Sequence, residues 1–170
     1  MNLFPLIGEE YLDIEIITPT LADDKAIRGS YYIYKMTDKE AVGDKSAVYQ
    51  LHFISTEAIV DMNKKISGVF GDRVSELVKR FITDKTNGLE SKKKVFVEQT
   101  SNSTKYISNF WSPIKNINNV CETSVNKNNS GTYLFYENRY GFNFVSLESL
   151  YDSKIYQKFL YHNFLKNVMN

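Results

Sequence analysis

The sequence predicts an α+β fold, in which antiparallel strands form a partial barrel and are followed by an inserted helical segment and a C-terminal β-hairpin. Three observations lead to this prediction. Apolar residues alternate with a period of two in the first third of the chain, and their period becomes helical after residue 55. Alternating aromatic residues then flank the turn "NRYG" near the C-terminus. The 170 residues suffice for one domain, or for two small ones that share a core.

Three strands are predicted in the first third of the chain. Residues 11–18 alternate between apolar and acidic side chains, as a half-buried strand does. The next strands are predicted at residues 31–36 and 46–55, with a loop at residues 20–30 and a charged turn at residues 37–45. Because both faces of residues 46–55 carry apolar side chains, we expect this strand to be central in its sheet.

The first helix is predicted directly after these strands. Ile59, Met62 and Ile66 recur with the spacing of one helical face. Ser55 or Thr56 is placed to cap the first turn, because a side-chain oxygen there can accept from a free backbone N–H.

A second amphipathic helix is predicted to open at Asp72, after Gly68 interrupts the first. Its buried stripe consists of Val74, Leu77, Val78 and Phe81. The polar residues 83–94 predict an exposed loop, which leads to a short strand at residues 94–99. Residues 102–104 and 128–130 are interpreted as polar loops.

The third helix has the clearest start signal in the sequence. Ser112 is placed to cap it, and Pro113 suits its first position, where the missing N–H costs no hydrogen bond. Its buried stripe consists of Ile114, Ile117, Val120 and Cys121. The polar segment 126–131 is expected to follow it as a loop.

An aromatic hairpin is predicted between residues 131 and 150. One face consists of Tyr133, Phe135, Phe142 and Phe144, and the other of Leu134, Tyr136, Val145 and Leu147. Because both faces are apolar, we expect each to pack against another part of the protein or a partner. The helices are expected on one face, and the tail or another chain on the other. The tail at residues 152–168 has the pattern of a helix that packs on something, and its apolar residues include Ile155, Phe159, Leu160 and Phe164.

No catalytic, cofactor-binding or metal-ligating residues are predicted. The glycines form no phosphate-binding loop, and no nucleophile motif occurs. Cys121 is the single cysteine, so the chain has no disulfide framework and no cysteine-based zinc site. His52 lies inside an apolar strand, where a hydrogen-bonded core histidine is expected. We therefore expect no enzyme activity, no cofactor and no small-molecule substrate.

The charges are distributed unevenly along the chain. Residues 1–61 carry eleven acids and five bases, whereas residues 62–170 carry nine acids and sixteen bases. An alternative function is therefore a nucleic-acid-binding module that uses the lysine-rich helices and loop. It predicts that one face collects Lys64, Lys65, Lys79, Arg80, Lys92, Lys93 and Lys94. A further alternative, a small hydrolase, predicts His52 or His162 beside a carboxylate in a cleft.

Four segments in a fixed order carry a resemblance to a known family. They are "PLIGEEYLDIEIITP", "YQLHFISTEAI", "ISNFWSPIKNIN" and "YLFYENRYGFNFVSLESL". Their order and spacing, from Leu6 to Leu150, resemble those of the baseplate hub proteins of contractile-tailed bacteriophages, the myovirus tail hub family.

The resemblance implies a non-catalytic virion protein that joins the tail tube to the central spike. It implies self-association as a trimer, contacts with tail-tube and spike proteins, and a place in the tail baseplate after assembly in the host cytoplasm. We expect no membrane binding, and nucleic acid is not expected as a specific ligand.

The resemblance also implies a division of the chain. Hub proteins begin before "LIGEE" and continue past "SLESL" into a second barrel, so this chain resembles a fragment with the end of the first barrel and the α+β insertion. Residues 1–55 resemble part of a tube-like barrel. Residues 56–150 form the α+β domain with three helices and the hairpin, and residues 151–170 form the C-terminal tail.

Overall fold

The computed structural model describes residues 10–17, 26–41, 47–155 and 157–160. Within these residues the element order is βββαβαββαββα, with eight strands in three sheets and four short helices. This composition confirms the predicted α+β class. None of the described sheets closes into a barrel, so the sheets are partial, as expected.

The first sheet is antiparallel and contains β1 (Tyr11–Ile16), β2 (Ile27–Ala41) and β3 (Ala47–Ser55), in that order. The prediction that β3 is central is therefore wrong, because β2 lies between the other two strands. β2 is also longer than predicted at both ends, where a loop and a turn were expected. Two register shifts let it continue, and Asp38 adopts a positive φ of 53° at one of them, a conformation that Asp tolerates.

Helix α1 (Thr56–Asn63) begins at the predicted cap, since the Ser55 hydroxyl accepts from the N–H of Ala58. The placement of Ile66 on this helix is wrong, because Ile66 opens strand β4 (Ile66–Arg73). The helix ends at Asn63, and the next residue is extended. Ile66 is nonetheless buried, so its apolar character reports burial rather than helical phase.

Strand β4 pairs with β6 (Ser103–Trp111) in a two-stranded antiparallel sheet that the sequence did not predict. β6 includes two residues of the polar stretch 102–104, which was interpreted as a loop. Its outward positions are mostly polar, and its inward Ser108 is buried with its hydroxyl donating to the Ile66 carbonyl at 2.8 Å. Neither face of β6 therefore shows the regular apolar alternation that predicts a strand.

Helix α2 (Val74–Thr83) carries the predicted stripe, and all four of its residues are buried. It begins two residues later than predicted, because Asp72 is still in β4, paired with Thr104. The following loop is not exposed throughout as predicted. Leu89 is buried in the core, and its N–H donates to the Phe81 carbonyl at 2.9 Å.

The third sheet has the order β5-β8-β7, with β5 (Val95–Val97) parallel to β8 (Gly141–Ser146) and β7 (Tyr133–Asn138) antiparallel to it. The predicted hairpin and its turn are confirmed. Helix α3 (Pro113–Glu122) starts at the predicted Ser112 cap, and its stripe faces the core.

One cluster of buried side chains forms the core between α2, α3 and the second and third sheets. Its members are Ile66, Phe70, Val74, Leu77, Val78, Phe81, Ile82, Leu89, Tyr106, Ile117, Val120, Tyr133, Phe142 and Phe144. No residue of the first sheet belongs to it. The proposed division at residue 55 stays a prediction.

The described part of the tail does not form the predicted helix. Helix α4 (Leu147–Tyr151) ends before it, and residues 153–155 and 157–160 have no regular structure. Its apolar side chains do not pack, since Phe159 is 85% exposed and Ile155 and Leu160 are similar. Phe164 lies outside the described residues. The outward face of the hairpin thus receives no second cover from the described tail, and Leu134 and Tyr136 stay exposed.

Candidate functional site

Of the two histidines considered for catalysis, the structure describes His52 alone. His52 is half-buried on the edge strand β3, and its Nε2 lies 3.0 Å from Thr37 Oγ1. Its expected hydrogen bond is confirmed, but it is not a core residue. Among the described residues no carboxylate forms an ion pair with His52, and no group of three or more His, Cys, Asp or Glu side chains is placed to hold a metal ion. His162 lies outside these residues.

Cys121 has the expected place on the inner side of α3 and packs against the core. Burial, and then the charge of Glu122, raise the pKa of its thiol to about 12. The thiol is therefore protonated at neutral pH and is a poor nucleophile.

The basic residues proposed as one surface occupy different places. The Lys64 ammonium donates to the carbonyls of Lys85 and Gly88 and to Glu90, at 2.7–2.9 Å, and so fixes the loop after α2. Lys65 lies with Lys64 beside Glu90 in one hollow. The three consecutive lysines 92–94 line a separate cleft with the hairpin turn. Lys64 and Lys65 thus line one hollow and the lysines 92–94 line another, so these basic residues do not form one surface in the described part of the chain.

An ion-pair network joins α1 to the hairpin. The Lys93 ammonium lies 2.8 Å from Glu57 and 2.6 Å from Glu137, and Glu57 also accepts from the Ser91 hydroxyl. Burial raises the pKa of Glu57, but the hydrogen bonds from Lys93 and Ser91 outweigh it and leave that pKa lowered. Burial likewise lowers the pKa of Lys93, and its two carboxylate partners raise it further than burial lowers it. The network therefore favours the ionised forms of Glu57 and Lys93.

The apolar face of the first sheet is the most distinctive surface of the described molecule. The register places Ile16 opposite Ile27, and Ile33 opposite Phe53, so these side chains share one face with Met36 and Tyr49. Only Ile33 is buried there.

Five further side chains of this face are more than a third exposed, whereas others on the same side are half-buried, namely Leu12, Ile14, Tyr31 and Leu51. We call Ile16, Ile27, Met36, Tyr49 and Phe53 the open face. Sequence alternation predicted apolar residues on one side of these strands but did not reveal that these five stay exposed. A surface of this kind is suited to binding another apolar surface.

Comparison with protein-family models found no match to the chain. Curated proteins and solved structures likewise gave no match. None of the helices in the described residues is long and apolar enough to cross a membrane.

Proposed function

We propose that this protein is a non-catalytic structural subunit of a phage tail baseplate, of the hub type that joins the tail tube to the central spike. The choice of family rests on the four ordered segments, which resemble those of the myovirus hub proteins. The observation that carries the scaffold role is the open face, a sheet surface whose apolar side chains remain in solvent. An assembly subunit needs such a surface, because apolar burial provides most of the free energy of stable association.

Self-association is the first consequence of this proposal. A three-stranded sheet gains stability when its apolar face is covered, and a second subunit or a tail protein would provide that cover. The partners in the proposal are other copies of the chain, in a trimer, and the tail-tube and spike proteins. The virion is the proposed location.

The test is co-expression of the chain with the proteins encoded by the neighbouring reading frames. We expect tail-tube or spike proteins to co-elute with it in size-exclusion chromatography, with the mass measured by light scattering. Unrelated neighbours together with a monomer at every concentration would refute the proposal.

Two substitutions on the same strand separate the open face from general surface effects. Phe53 is 41% exposed on the open face, whereas Val48 is 61% exposed and points to the other side of β3. We expect Phe53→Asp to shift the assembly to monomers, because it places a charge in the buried interface. Val48→Asp adds the same charge away from that face and should leave the mass unchanged.

A further inference from the structure

A basic cleft lies between the first sheet and the hairpin turn. Its walls are the start of β2, the loop that precedes β5, and the turn between β7 and β8. Its volume is about 790 Å³, which is within the range of sites that hold an organic ligand. The cleft adjoins the open face, since Ile27 belongs to both, and the ring of Tyr31 in the cleft lies 5.0 Å from that of Phe53.

Positive charge dominates the lining of this cleft. Its cations are Arg28, Lys92, Lys93, Lys94 and Arg139, and Glu137 is its one lining carboxylate. Glu15 lies 2.5 Å from Arg28, and Lys93 is held by the network described above. Lys92 and Lys94 make no ion pair with any described carboxylate. A concave surface concentrates the field of such charges, so the cleft attracts anions.

The backbone fixes the lysine loop against the hairpin turn. Gly141 has a φ of +132°, and a Cβ at this position would lie 2.0 Å from the Lys94 carbonyl oxygen. The next N–H, from Phe142, donates to the same oxygen at 2.9 Å. Only glycine permits this approach, and the cations are therefore held on a rigid support rather than on a free loop.

Two tyrosine rings line the same cleft. Tyr140 is 58% exposed, and the Arg139 guanidinium lies 4.6 Å from its ring centroid. The Tyr31 ring covers Gly29 so closely that a Cβ there would lie 2.8 Å from the ring. Aromatic rings beside cations in a groove are the combination that binds single-stranded nucleic acids, since bases stack on the rings and phosphates meet the charges.

We infer that this cleft binds a short stretch of single-stranded nucleic acid. The cations bind the phosphates, and a base stacks on the exposed face of Tyr140. The tyrosine rings favour this ligand over a phosphate polymer without bases, because only bases can stack on them. The inference does not depend on the proposed assembly role, because the cations and Tyr140 that it uses are not residues of the open face.

The test is fluorescence anisotropy of a labelled thymidine oligomer with the full chain, over a series of salt concentrations. We expect the double variant Lys92→Ala/Lys94→Ala to bind at least tenfold more weakly. The slope of log K against log salt should fall by about 1.4, the value for two phosphate contacts on a single strand. Lys79→Ala/Lys105→Ala removes the same charge from exposed positions outside the cleft and should stay within about twofold of the parent.

A second variant separates stacking from charge. Tyr140→Leu should weaken binding by about fivefold or more without changing the salt slope. Equal losses in the two double-lysine variants, or no binding by the parent chain, would overturn the inference. Displacement of the oligomer by linear polyphosphate at equal phosphate concentration would also overturn it, because the site would then recognise phosphate alone.

Discussion

Replacing Phe144 by alanine should be the most damaging single truncation in the hairpin. Phe144 has no exposed surface, and its ring stacks on Tyr133 with centroids 4.7 Å apart. A buried Phe removes roughly 150–250 Å² from water, which at about 25 cal/mol per Å² corresponds to about 4–6 kcal/mol. Alanine keeps part of this burial. We therefore expect a loss of about 3–5 kcal/mol in the free energy of unfolding, the usual range for Phe→Ala in a core.

Two neighbouring truncations calibrate this value. Phe135 is the direct cross-strand partner of Phe144 and faces the core, but it is only half-buried. Phe135→Ala should cost about 2 kcal/mol, in proportion to its burial. Leu134 lies on the outward face and is exposed, so Leu134→Ala should cost about 1 kcal/mol or less.

The assay is urea unfolding at equilibrium, followed by the fluorescence of Trp111, the single tryptophan of the chain. Linear extrapolation gives the free energy of unfolding of each variant in water, and an unchanged m value shows that the unfolding transition is the same. The order Phe144, Phe135, Leu134 is the critical result. If Leu134→Ala costs as much as Phe144→Ala, the hairpin does not present its aromatic face to the core and the assignment of faces is refuted.

Three further predictions concern other groups. Tyr106→Phe should cost about 1–3 kcal/mol in urea unfolding, because the buried Asn116 oxygen loses its 2.7 Å hydrogen bond from the tyrosine. Because the pKa of Glu57 is lowered from its ordinary value of 4.5, its carboxylate stabilises the fold above pH 4.5, and this stabilisation is lost as the pH falls further. In Glu57→Gln the melting temperature should therefore fall less steeply below pH 4.5 than in the parent chain. Cys121 should react with iodoacetamide at about pH 8 at least a hundredfold more slowly in the folded chain than in urea, measured by mass spectrometry.

The helices α2 and α3 were predictable because their signals are local. Periodic apolar residues mark the buried stripe of each helix, and the Ser112 hydroxyl with Pro113 marks the start of α3. Each signal fits within a few residues of sequence. The hairpin was predictable for the same reason, since its turn and its alternation are adjacent.

Strands β4 and β6 were missed because their stability depends on distant partners. The two strands pair over their whole length although they are well separated in sequence, and Ser108 replaces an apolar residue at a buried position. Only the pairing explains that serine, because its hydroxyl reaches a carbonyl on the other strand. The same limit applies to the ion-pair network, whose lysine lies 36 and 44 residues from its two carboxylates.

The first sheet is attached to the rest of the molecule in an unusual way. Its side chains contribute nothing to the core cluster, whereas α1, which follows it, is tied to the hairpin by the charged network of Glu57, Lys93 and Glu137. Polar contacts of this kind position an element but add less free energy than apolar burial. The core therefore does not stabilise this sheet directly, and the open face is available for an occupant. An occupant that binds only the folded sheet raises its stability by mass action. Assembly and the stability of the first sheet should consequently increase together.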